Sequence, residues 1–305
     1  MTIYWYIQLG YGIPSLIFYV IVLVVLSEER KHFSKPFLRL FYSFAAVNFL
    51  CYFITTIGWR IPKQLTPKCP LYEYFLNTPP NRFLGTIFFL SHYCLYCQGI
   101  ITFHFIALTL RSVIYPFSNP IWETSNLVYF CTVLIPPLFF TVGILLSPAY
   151  YGVRYDGNGL SLRLLNNKRW QFLIATALFE LVINFLSMIM NLITVIALYR
   201  KALPAQFRKE KSLFLLTLTH FLVQVLRSTT EFTIIFSSHS PVVRFTALAA
   251  LQYVVDFVCL QPAYALFFLN VIIRKAVYKK FRCKYKTKFD AVASSENAQI
   301  NCYRI

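Results

Sequence analysis

The 305 residues are 58% hydrophobic and only 13% charged, with a mean hydropathy of +0.58. A soluble domain of this size carries about twice that charge, so the composition excludes one. The net charge of +18 lies in short segments between apolar runs, where basic side chains meet anionic lipid headgroups, and nothing in the chain has the pattern of a nucleic-acid-binding fold.

Crossing a hydrocarbon core about 30 Å thick takes about 20 apolar residues as a helix. Seven stretches reach that length: Trp5–Leu26, Phe37–Gly58, Phe83–Leu110, Asn126–Ser147, Trp170–Tyr199, Leu213–Phe236 and Arg244–Leu269. In lipid each segment must satisfy its own backbone N–H and C=O groups, so they are helices. The expected fold is all-α, an integral-membrane seven-helix bundle over residues 1–270. Residues 271–305 follow as a basic amphipathic segment and a short disordered tail. The first span has no basic stretch before it and no small-residue cleavage site, and Pro14 interrupts it, which separates it from a signal peptide. Pro136-Pro137 kinks the fourth span and Pro262 the seventh. Beyond the last span, Asn270 to Phe281 places apolar and basic residues at helical spacing, the pattern of a helix lying on a membrane surface. Trp5, Tyr6, Trp59, Trp122 and Trp170 fall near helix ends, where aromatic rings favour the headgroup zone.

Basic residues set the expected orientation. With the N-terminus outside, nineteen Lys and Arg lie on the cytosolic side and nine on the outer side, with Arg227 inside a helix. The positive-inside rule favours N-out, C-in. Of the eight cysteines, Cys51, Cys94, Cys97, Cys131 and Cys259 fall within spans, Cys283 and Cys302 in the cytosol and Cys69 in an outer loop. The second outer loop, Pro148 to Arg169, has none, so the bridge that ties this loop to the third helix in rhodopsin-like receptors cannot form. Cys283 follows the basic segment closely and is a candidate for palmitoylation, an unmodified thiol being the other reading.

Polar residues within the spans are functional candidates, because charge at mid-membrane depth is costly. Glu180 lies in the fifth helix; Arg227 and Glu231 lie four apart in the sixth, on one face, where they can pair. These three are the candidate ligand contacts, although Arg227 and Glu231 also read as a pair that only neutralises itself. Asn48 and Asp256 read as hydrogen-bonding across helices and, with Pro262 and Tyr264, as coupling residues. Asn184 lies at comparable depth. His92, His104, His220 and Cys94-x-x-Cys97 do not assemble the four ligands a zinc site needs. No catalytic motif and no phosphate-cradling glycine loop appears, so neither an enzyme nor a cofactor is expected.

The inner end of the third helix, Leu110-Arg111-Ser112-Val113-Ile114-Tyr115-Pro116, is similar to the latch region of G-protein-coupled receptors, and Gln261-Pro262-Ala263-Tyr264 resembles a degenerate Asn/Asp-Pro-x-x-Tyr element. More specifically, the chain from Tyr11 to about Phe281 resembles the nematode serpentine chemoreceptors, the class gamma (Srg) group and its Srv relatives. The resemblance rests on Tyr11-Gly12-Ile13-Pro14-Ser15, Phe37-Leu38-Arg39-Leu40-Phe41 with Asn48, Trp59-Arg60-Ile61-Pro62, the Arg111…Pro116…Ile121-Trp122 run and Tyr155-Asp156-Gly157. Leu110-Arg111 stands where family members commonly have Asn-Arg. The resemblance implies a chemosensory receptor in the plasma membrane of a sensory cell, with an unknown small-molecule or pheromone ligand and a heterotrimeric G protein as partner. Arg111, Tyr115, Trp122, Arg208, Lys209 and Lys211 are the expected G-protein-facing residues. Homo- or hetero-oligomerisation stays open. A retinal protein is excluded because Arg244 to Leu269 contains no lysine. A transporter would show inverted repeats, and an inverted seven-helix channel would place the N-terminus inside.

Overall fold

The computed structural model describes residues 3–114, 126–145, 147–153, 159–165, 169–200, 206–237 and 240–281. Its long helices are α1 (Ile3–Glu28), α2 (Lys35–Thr55), α5 (Arg82–Ile114), α6 (Asn126–Leu145), α7 (Arg169–Arg200), α8 (Gln206–Phe236) and α9 (Pro241–Leu269). They coincide with the seven expected spans. Six are long and apolar enough to cross a membrane, and Cys131–Leu145 of α6 is a shorter apolar helix. Short helices α3 (Ile61–Gln64) and α4 (Pro70–Asn77) and the antiparallel strands β1 (Ala149–Val153) and β2 (Leu160–Leu164) close one end of the bundle. Residues 271–281 form α10 at the other.

The central element is α5. It packs against α2, α6, α7, α8 and both strands, and 67% of its most apolar window is buried against 22% for α7. At about 1.5 Å per residue its 33 residues span about 50 Å, long enough to extend beyond a hydrocarbon core. The outer face of α7 instead presents Leu178, Leu181, Phe185, Leu192 and Ile196 to the surroundings. Such a continuous apolar face is unstable in water and ordinary in lipid.

Two apolar clusters bracket the middle of the bundle. At the α10 end, Tyr19, Leu40, Phe41, Phe44 and Phe105 pack with Leu266, Ile273 and Val277. Asn270 caps α10 by accepting from the Ile272 and Ile273 amides at 3.0 and 3.2 Å, and this turns the apolar face of α10 onto the bundle. Lys280 pairs with Glu28 of α1. At the other end Tyr72, Leu84, Phe88, Tyr151, Leu160 and Leu162 form the second cluster.

Two local features depart from the expected boundaries. The second span does not stop at Gly58. It continues as a π-helical turn, Thr56–Arg60, and then α3, so Trp59-Arg60-Ile61-Pro62 is helical rather than loop. The wide turn carries Arg60, expected among the exposed outer bases, into the interior, where it is 2% exposed. The second outer loop is also a β-hairpin rather than plain coil, paired from Ala149↔Leu164 to Val153↔Leu160. Ala149 and Tyr151 alternate inward opposite Leu164 and Leu162. Asn81 and Ala149 exchange backbone bonds of 3.0 and 3.1 Å, which tie β1 to the start of α5. The Tyr151 hydroxyl donates to the Gly58 carbonyl at 3.2 Å. Burial pushes this phenol up to about 12, so it remains a neutral donor. The hairpin is thus docked without a disulfide, and the described cysteines are free thiols.

Candidate functional site

Beneath the hairpin lies a chamber of about 320 Å³ lined by Trp59, Arg60 and Lys63 after α2, by Phe88, His92 and Leu95 of α5, by β2, by Thr176 of α7, by Glu231 and Ile234 of α8, and by α9 from Arg244 to Val255. This volume is within the range of small-molecule pockets. Aromatic and aliphatic groups form most of the wall: His92 stacks on Phe88 at 4.5 Å and Trp59 leans on Phe88 at 5.2 Å.

Two buried ionic clusters flank the chamber. On the α2 side, Arg60 pairs with Asp256 of α9, and Tyr11 of α1 donates its hydroxyl to the same carboxylate. Arg60 also donates to Thr56 Oγ1 at 3.1 Å and lies 4.8 Å over the Tyr52 ring. On the α8 side, Arg227 donates to Glu180 of α7, whose second oxygen accepts from Ser228 at 2.6 Å. Glu231 lies 3.6 Å from Arg227 Nε, and the Asn184 amide donates to Ser228 at 2.7 Å. Arg227 reaches inward to the Leu95 carbonyl at 3.2 Å and to Gln98 Oε1 at 3.4 Å. Gln98 in turn donates to Asn48 Oδ1 at 2.7 Å, and Asn48 to the Tyr19 hydroxyl at 3.4 Å. One polar chain therefore runs from the chamber wall to the middle of α1.

The expected i,i+4 contact between Arg227 and Glu231 is present, but the tighter partner of Arg227 is Glu180 on the neighbouring helix. Of the three candidate ligand contacts, Glu231 lines the chamber, with Arg227 and Glu180 behind it. Asn48 and Asp256 do bond across helices, to Gln98 and to Arg60 rather than to each other. Tyr264 bonds Ser15 of α1 at 3.0 Å and stacks on Phe18 at 4.7 Å, two residues after Pro262 inside α9. Arg111 sits in the last turn of α5, at the α10 end, half-buried. Arg208, Lys209 and Lys211 lie in the first turns of α8, their side chains outside the described set, and Tyr115, Trp122 and Cys283 lie outside the described residues.

Arg60, Tyr11 and Gln98 were missed by sequence reasoning. Arg60 was hidden because a base after a glycine reads as a loop anchor. A signal was present for α8: Thr217, His220, Gln224, Arg227, Ser228 and Glu231 recur at spacings of three and four, which puts them on one face. That face is buried. His220 bonds Gln261 of α9 at 3.0 Å, and Nε2 of both His220 and Gln224 is buried without a partner.

Seven long helices with an outward apolar surface, around a largely apolar chamber flanked by buried ionic clusters, define a multi-pass membrane protein of serpentine receptor type. The sequence model of the Srg family chemoreceptors matches residues 5–277, and the chain belongs to that family. It is similar to the serpentine receptor class gamma-31 of Caenorhabditis elegans, 25% identical over 224 residues, which cover 71% of this chain and 70% of that protein.

Proposed function

We propose that this serpentine chemoreceptor takes a small organic molecule in the chamber beneath the hairpin and signals through a heterotrimeric G protein docked at the α10 end. In this reading the N-terminus is outside and the protein lies in the plasma membrane of a sensory cell. The reading is carried by Glu231. Its carboxylate faces the chamber, while the guanidinium beside it belongs to a buried chain reaching Glu180, Gln98 and Asn48. A ligand touching Glu231 changes what Arg227 sees, and that contact differs between bundle arrangements. Differential contact of this kind is what a ligand needs to shift a population, since equal affinity for two states moves nothing. Asn48, Asp256, Pro262 and Tyr264 lie where α1, α2 and α9 meet and would carry the shift.

The test is a small-molecule activation screen in cells carrying a promiscuous G protein, repeated with Leu251→Trp, which fills the chamber from α9. An agonist response abolished by Leu251→Trp at unchanged surface expression is expected. A response that survives the filled chamber would place the ligand elsewhere.

A further inference from the structure

The seam where α5, α7 and α8 meet is buried and polar, and it is not fully packed. Gly99 of α5 is buried, yet a Cβ there would find no packing partner within 4 Å. Gly99 occupies the sector of α5 between Gln98, which meets Arg227 of α8, and Tyr96, whose hydroxyl donates to Thr176 of α7 at 2.7 Å. Close-packed interiors leave few such spaces.

Polar atoms without a hydrogen-bond partner gather along the same seam. Arg227 Nε, Gln224 Nε2 and His220 Nε2 come from α8, Thr102 Oγ1 from α5, and both amide atoms of Asn191 from α7. These five residues are at most 6% exposed. Contacts already made set their levels. Arg227 meets Gln98, and the His220 ring lies 5.9 Å from Phe105, so Thr102, between Gln98 and Phe105, stands level with Gln224. Asn184 bonds Ser228 and Leu198 packs with Phe214, so Asn191, midway between them on α7, falls between the levels of Gln224 and His220. At the chamber end Glu231 lies 3.6 Å from Arg227 Nε, a separation that a bridging water fits. From Arg227 to His220 the seam runs about 10 Å at 1.5 Å per residue.

The chemistry of these atoms selects the occupant. Arg227 Nε, Gln224 Nε2 and Asn191 Nδ2 are donors, and Asn191 Oδ1 is an acceptor. His220 Nδ1 faces Gln261 Oε1, which only accepts, at 3.0 Å, so Nδ1 carries the hydrogen and Nε2 of the neutral ring accepts. The Thr102 hydroxyl serves either way. A cation answers only the acceptors, and an anion answers only the donors. Water answers both, and a buried water typically makes about three such bonds.

We propose that this seam is a built water site, a short file of ordered waters beside Gly99 that joins Arg227, Gln224, Thr102, Asn191 and His220. The file starts behind Glu231 and stops at the Phe44 and Phe105 rings, 5.2 and 5.9 Å from His220. It goes beyond the chamber reading and holds whatever the chamber takes.

The test is radiolytic hydroxyl labelling of the full-length receptor in lipid nanodiscs, read by mass spectrometry. Radicals formed from a bound water mark the side chain beside it. Buried His220 is therefore expected to be labelled, while Phe41, 0% exposed in the apolar cluster at the α10 end, is not. Gly99→Leu, whose side chain enters the open space, should suppress labelling of His220. Thr102→Val keeps the shape and removes the hydroxyl. In a wet seam it lowers the unfolding temperature, because the waters lose a partner; in a dry seam it raises it, because an unanswered hydroxyl is gone. His220 as silent as Phe41 would overturn the proposal, and so would labelling that Gly99→Leu leaves unchanged. A Thr102→Val protein more stable than wild type would also overturn it, and this comparison stands if Gly99→Leu fails to fold. Exchanging sodium for N-methylglucamine, or chloride for gluconate, should change neither labelling nor unfolding temperature. A change in either would overturn the water site in favour of an ion.

Discussion

Arg227 is 1% exposed and stands between two carboxylates, Glu180 and Glu231. Such groups stabilise a fold only as a set, because the desolvation cost of each charge is met by its partner. Arg227→Leu leaves two acids facing each other in the bundle, and a loss of about 3–5 kcal/mol is expected. Glu180→Gln keeps an acceptor for Arg227 and Ser228 and should cost less. Thermal unfolding in detergent ranks the two, and an Arg227→Leu protein as stable as wild type would remove the triad from any structural or signalling role. Arg60 and Asp256 make a cleaner case, since each has its main ionic partner in the other. Either single change, Arg60→Met or Asp256→Leu, strands a buried charge. The double variant removes both and should recover most of the loss, a coupling that a double-mutant cycle reads directly.

At the scale of elements, the hairpin is held by shape rather than by a covalent tie. Gly159 has φ +81°, and a Cβ there would stand 2.0 Å from the Lys63 carbonyl oxygen at the end of α3. Gly159→Ala therefore combines an unfavourable backbone with a backbone clash, at about 1–3 kcal/mol, and should lift β2 from α3 while the long helices stay folded. Faster hydrogen exchange confined to residues 149–165 is the expected readout, and unchanged exchange there would count against this docking. The same contrast explains what was legible beforehand. The long helices were visible because twenty apolar residues have few other fates, and Glu180, Arg227, Glu231, Asn48 and Asp256 stood out because polar groups are expensive at that depth. The pairing was not legible. An i,i+4 spacing reports only the helix it lies on, so Glu231 was visible as a partner of Arg227 and Glu180 was not. Arg60 was lost for a different reason, since only the π turn after Thr55 rotates it inward. The hairpin shows period-two alternation at Leu160, Leu162 and Leu164, but strands this short inside a loop signal little until α5 and α3 give them a surface.

The whole molecule places its chamber and its basic end on opposite sides of one bundle. Along α8 from Glu231 to Gln206 the chain covers about 37 Å at 1.5 Å per residue, so a ligand at one end cannot touch a partner at the other. What links them is the buried polar face of α8, held to α9 by the His220–Gln261 bond at 3.0 Å and by Ser212 donating to the Leu269 carbonyl at 2.7 Å, with Nε2 of His220 and Gln224 left without a partner. Polar groups left unsatisfied in one arrangement can find partners in another. Arg111, in the last turn of α5, packs at the far end, where α8 begins. Two measurements separate orientation from signalling. An N-terminal epitope tag should stain on cells that have not been permeabilised; staining only after permeabilisation would invert the bundle and put the chamber on the cytosolic side. With the tag outside, Arg111→Ala should abolish agonist-driven cAMP or calcium signals while surface staining and the ligand-induced thermal shift persist, because this change removes a contact at the α10 end and leaves intact the chamber, whose nearest wall residue on α5, Leu95, is about 24 Å away along the helix. Loss of ligand binding in the same variant would mean that Arg111 holds the fold rather than the signal, and would move the G-protein surface to the start of α8.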